Sequence, residues 1–138
     1  MSPCCPDGDG GAGGGARRLS GWTAKRRALA AVYRTRLAGA GIPGVHVPTE
    51  CDPGHVYHLF VVQTGRRAAL QAHLSARGIE TLIHYPVAIT RQPALAPMNP
   101  AHCPRAVAAC DDVLSLPLHP ALTEGEVADV AAAVCDFG

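Results

Sequence analysis

Residues 55–85 read HVYHLFVVQTGRRAALQAHLSARGIETLIHY, and the change of period inside this run sets the architecture of the whole chain. The first part, 55–63, is β-branched and aromatic and of strand length, which predicts a strand buried on both faces. Residues 66–77 place Leu70, His73 and Leu74 at helical spacing and run into Gly78, which can adopt the left-handed conformation that closes a helix. Residues 79–85 (IETLIHY) predict a second strand, halted by Pro86, whose missing N–H cannot continue a ladder.

Working back from this unit, residues 42–52 together with Pro53 are punctuated by Pro43, Gly44 and Pro48, which predicts an extended connector. Before it, Trp22, Leu29, Tyr33 and Leu37 recur at steps of seven and four, with Lys25, Arg26, Arg27, Arg34 and Arg36 around the rest of the wheel. An amphipathic helix is expected from Leu19 to near Gly39 or Gly41. Residues 1–18 offer no large aliphatic group to repay the entropy of ordering, so a disordered Gly/Pro-rich tail is expected there, followed by one domain over 19–138. The glycine run 10–15 has no strand before it, and so is not a phosphate loop.

Working forward, Pro86, Pro93, Pro97 and Pro100 keep 86–102 irregular apart from one turn, a long structured loop of the kind that carries function. Cys103-Pro104 opens a helix with proline in its tolerated first turn, and 113–116 form a terminal strand before Pro117. Thr123 followed by Glu126 makes a capping box for a last helix with the apolar stripe Val127, Val130, Ala131 and Val134. The fold expected is α+β, a small and mainly antiparallel sheet with helices on one face.

Composition excludes several classes of function. Lys and Arg total 12 against 11 Asp and Glu, too balanced for the cationic surface that phosphate backbones demand, so no nucleic acid partner is expected. The apolar run around residues 56–62 is interrupted by His58 and falls far short of the roughly 18 residues that span a bilayer; no membrane span is expected. Nor do the first residues contain the apolar core of a secretory signal, which makes the cytoplasm the expected location. The six cysteines form no CxxC pair; they are expected as thiols, with Cys110 and Cys135 as small core residues.

Among chemistry-bearing residues, His55 and His58 are the closest histidine pair, but an odd separation on a strand sends them to opposite faces, so structural histidines and no metal site are expected. Ser20, Ser75 and Ser115 lack a nucleophile elbow, and Ser115 lies between two leucines. Asp111 and Asp112 point about 100° apart on a helix and read as a solvated helix end. His84 and Tyr85 are different, because two hydrogen-bonding side chains stand at a strand end that opens into a loop. Packing and binding remain equally good accounts of them on composition alone.

The runs AKRRALAAVYRTRL (24–37), HVYHLFVV (55–62), GIETLIHYPVAITRQPAL (78–95) and VLSLPLHPALTEGEVADVAAAV (113–134) together closely resemble the C-terminal part of the DegT/DnrJ/EryC1/StrS family of pyridoxal-phosphate-dependent sugar aminotransferases. The resemblance extends over residues 19–138 and implies the small domain of a fold-type-I aminotransferase, its first helix being the link to the large domain. It further implies a deoxysugar-biosynthesis activity: transfer of an amino group from glutamate or glutamine to a keto group of a nucleotide-linked sugar or a cyclitol. In such enzymes a lysine holds pyridoxal phosphate as a Schiff base and an acidic residue protonates its pyridine nitrogen. Both belong to the large domain, which is not expected in this chain.

Lys25 is the only lysine, and its place on a charged helical face is that of a solvated side chain, so no catalytic residue and no cofactor contact is expected in this chain alone. His84 and Tyr85 match the family's HYP segment and Gln92 its following Q-P; the resemblance makes these three the substrate-binding candidates. The sequence departs from the family where Thr90 replaces a frequent histidine, Leu95 a frequent aromatic residue and Val107 a usual glutamate. Members are dimers with active sites near the subunit interface, which makes homo-oligomerisation, or pairing with a full-length member as a non-catalytic interaction module, the alternative role. In either case apolar area around Trp22, Leu29 and Tyr33 is expected to be exposed.

Overall fold

The computed structural model describes residues 12–138, and the expectation for the first part of the tail lies outside the described residues. Helix α1 spans Ala12–Ala40, so its start falls inside the segment expected to be disordered. Adding a turn to an anchored helix costs far less than nucleating one, and the anchor here is the buried set Leu29, Ala30, Tyr33 and Leu37. Trp22 is 49% exposed, in line with the apolar exposure expected around it, because residues 18–28 run past the core and only Thr23 and Arg26 among them are half-buried.

Strand β1 (Phe60–Gln63) and strand β2 (Val113–Leu116) pair antiparallel, with Phe60 opposite Leu116 and Val62 opposite Leu114. These four face the core, whereas Val61 and Ser115 share the other face. Single bridges widen the ribbon at both edges, His46 to Gln63 and Leu82 to Ser115. The chain is thus α+β with a small antiparallel sheet, as expected. Helices α2 (Arg67–Ser75), α3 (Pro104–Asp112) and α4 (Glu124–Cys135) complete it, α4 packing along α1 and reaching α2.

Two expected strands are much shorter than predicted. Residues 55–59 form a loop: Tyr57 takes a left-handed φ of 49° and its N–H is bonded to His55 Nδ1 at 3.0 Å, a local partner that competes with a ladder. Strand β1 is also buried on one face only, Phe60 and Val62 being buried and Val61 and Gln63 half-buried. Residues 79–85 keep the alternation of a strand, with Thr81 buried and Leu82 exposed, but make one bridge, since Gln71 Nε2 donates to the Thr81 carbonyl at 3.3 Å instead. The helix stop is as read, Gly78 having a φ of 74°. The loop 86–102 holds two 3₁₀ helices, Ile89–Arg91 and Pro93–Met98, rather than one turn.

Candidate functional site

His84, Tyr85 and Gln92 are not brought together around one cavity. His84 stands two residues beyond the Leu82–Ser115 bridge and so on the same face as Ser115, whose Oγ lies 2.9 Å from His84 Nδ1. It lines an open groove of about 470 Å³ walled by Leu82, Leu116, Leu118 and Leu122. Tyr85 and Gln92 instead line a second groove of about 580 Å³ with Pro86, Val87, Ile89 and Cys110. Between the two, the His84 and Tyr85 rings meet edge-on with centroids 5.7 Å apart. Gln92 Nε2 reaches back to the Val87 carbonyl at 3.5 Å, so it shapes the loop as well as lining the groove.

The second groove is apolar and open. Tyr85 is 72% exposed, Ile89 75% and Met98 76%, a concentration of large apolar side chains on one loop that marks a contact surface. Of the apolar area expected to be exposed around Trp22, Leu29 and Tyr33, Trp22 and neighbouring Leu19 are exposed, Leu29 and Tyr33 are buried by α4 and β1, and a further exposed patch lies on 82–98. Cys110, expected in the core, is half-buried and faces this groove, while its carbonyl accepts from Arg67; Cys135 is half-buried against the core.

A third, smaller cavity of about 270 Å³ collects polar groups that no motif announced. Arg34 of α1 donates through Nε to the Tyr57 hydroxyl at 2.8 Å and through Nη1 to the Pro48 carbonyl at 2.9 Å, and it lies 3.5 Å from Glu50. The Tyr57 hydroxyl donates in turn to Glu50. Burial, and then the bond to Glu50, push the Tyr57 phenol above its ordinary range. These contacts strap the connector to α1. The sequence offered no more signal for them than the basic residues around the wheel of α1, among which nothing singles out Arg34.

His55 accepts from the Tyr57 N–H and is held by Arg27, which donates to its carbonyl at 2.8 Å, as befits a structural histidine. Lys25 is exposed on α1 and lines none of the grooves above. A lysine that holds pyridoxal phosphate must present its amine to a sheltered pocket beside an acid for the pyridine nitrogen. The described residues do not fit that cofactor.

The model of the DegT/DnrJ/EryC1/StrS aminotransferase family matches residues 16–135. The chain belongs to this family. It is 45% identical over 122 residues to the dTDP-3-amino-3,4,6-trideoxy-alpha-D-glucose transaminase of Streptomyces venezuelae, a match over 86% of this chain and 32% of that protein. Among solved structures, S. venezuelae DesV superposes with a TM-score of 0.81 at 42% identity, over 88% of this chain and 33% of the other. NtdA of Bacillus subtilis, solved with its cofactor PMP bound, gives a TM-score of 0.69 at 26% identity, over 86% of this chain and 29% of that one. The chain thus spans about a third of the length of the relatives it matches.

Proposed function

We propose that this chain is the small domain of a pyridoxal-phosphate-dependent aminotransferase that aminates a keto group of a nucleotide-linked sugar or cyclitol with glutamate or glutamine as donor. The observation that carries this reading is the family match along residues 16–135 combined with a third-length overlap with sugar transaminases. Since Lys25 is exposed and solitary, the lysine that holds the cofactor comes from outside these residues, and the chain alone does not turn over. When bound, the cofactor supplies the electron sink for moving the amino group. This chain supplies walls: His84 on one side and Tyr85 with Gln92 on the other contact the sugar substrate.

The test is a graft in which residues 19–138 replace the matching third of the S. venezuelae transaminase. Turnover of the nucleotide sugar is expected, with His84→Gln, Tyr85→Ala and Gln92→Ala each raising KM by roughly tenfold, the scale of one lost hydrogen bond or contact of about 1.4 kcal/mol. A folded graft in which all three variants leave KM unchanged would remove these residues from the substrate site. A second reading, a non-catalytic partner subunit docking on a full-length family member, draws on the exposed Tyr85, Ile89 and Met98. Sedimentation of the chain with and without such a member separates the two.

A further inference from the structure

The geometry points to Ser115 as a positioning residue that fixes the ring of His84 with its proton on Nε2, so that His84 offers a hydrogen-bond donor to an oxygen of the ligand. Ser115 sits in a strand that is otherwise aliphatic, on the face turned away from Leu114 and Leu116, and yet it is only 5% exposed. Its backbone is fully engaged, the N–H donating to the Leu82 carbonyl at 2.8 Å and the carbonyl accepting from Leu82 N–H at 3.2 Å. The hydroxyl has one partner among the described residues, His84 Nδ1 at 2.9 Å.

That single partner decides the direction of the bond. Were Nδ1 to carry the proton, the ring would donate to Oγ and the hydroxyl would be left with no acceptor among the described residues, whereas the opposite direction gives both groups a partner. The hydroxyl therefore donates to Nδ1, and the proton of the neutral ring stands on Nε2. Register reinforces this. The Leu82–Ser115 bridge places His84 diagonally across from Ser115, so the ring is held from the backbone as well as by the hydroxyl. No described residue engages Nε2, which is the ring atom left for a ligand in the groove that His84 lines. The acceptor it suits is an uncharged oxygen, such as a sugar hydroxyl or keto oxygen. The inference rests on the reading of His84 as a substrate contact only for the identity of that acceptor.

The experiment is two-bond ¹H–¹⁵N correlation on the full chain labelled in its histidines, at about pH 8.5, above the ordinary histidine range. The signals of His84 are identified by their loss in His84→Gln. The wild-type ring is expected to show a bare, hydrogen-bonded Nδ1 and a protonated Nε2; Ser115→Ala is expected to shift the Nδ1 signal and mix the two ring forms, and Ser115→Thr, which restores a hydroxyl, to return it. A proton on Nδ1 in the wild type, or an Nδ1 signal unmoved by Ser115→Ala, overturns the inference, and the wild-type spectrum decides even if a variant fails to fold. A bare Nδ1 together with a graft whose KM is unmoved by His84→Gln would remove the substrate reading alone.

Discussion

Tyr33 ties three parts of the molecule together from one side chain. Its ring packs at a tilt against Phe60 with centroids 4.7 Å apart, and its hydroxyl donates to the Pro117 carbonyl at 2.9 Å, beyond the end of β2. Burial raises the phenol far above its ordinary range. A raised folded-state value means that the stabilisation is intact below the ordinary tyrosine range and is lost as pH rises through it, because the unfolded chain ionises first. Stability should therefore fall above about pH 10, with a limiting slope near 1.4 kcal/mol per pH unit. Tyr33→Phe should flatten that alkaline limb and cost about 1 kcal/mol at neutral pH through the lost hydrogen bond; urea unfolding across pH checks both. Periodicity placed Tyr33 on the apolar stripe of its helix, and the strand end found His84 and Tyr85. Ser115 was passed over, because its partner lies 31 residues away and a local pattern sees only a serine between leucines.

At the scale of elements, α4 is the one whose beginning is written most fully in its own sequence. Thr123 Oγ1 accepts from Glu126 N–H at 3.2 Å and Glu126 Oε2 accepts from Thr123 N–H at 2.8 Å, closing the capping box. The Thr123 backbone N–H, and then its hydroxyl, hold the Glu126 carboxyl below the usual glutamate range. A depressed folded-state value gives stabilisation that is present above the ordinary glutamate range and lost as pH falls through the lowered one. Glu126→Gln should thus weaken the pH dependence of the acid limb, while Thr123→Ala should cost about 1 kcal/mol and lower Tm by roughly 4 °C; calorimetry at neutral and acid pH reads each. The strand expected over 55–63 was illegible for the opposite reason. Arg27 and Arg34 reach across 28 and 23 residues to fix His55 and Tyr57, and β propensity has no access to such partners. Elements specified by neighbours in sequence were legible, whereas those specified by polar contacts from α1 were not.

Over the whole molecule, one aliphatic core joins α1, the sheet, α2 and α4, while the loop 82–98 turns Leu82, Tyr85, Ile89 and Met98 outward. A surface of this kind fits a domain whose working site is completed by other residues, and of the apolar area expected to be exposed on α1 only the part at Trp22 is open, Leu29 and Tyr33 being covered. Helical periodicity marks Leu29 and Tyr33 as apolar without saying which partner covers them, and α4 of the same domain does so. On the proposed function the amine that holds the cofactor lies outside these residues, Lys25 being an exposed helix side chain. The most direct test is the absorbance spectrum of the purified chain titrated with pyridoxal phosphate. No band of a lysine-linked cofactor is predicted. A stoichiometric band that disappears in Lys25→Ala and is discharged by glutamate would contradict the account.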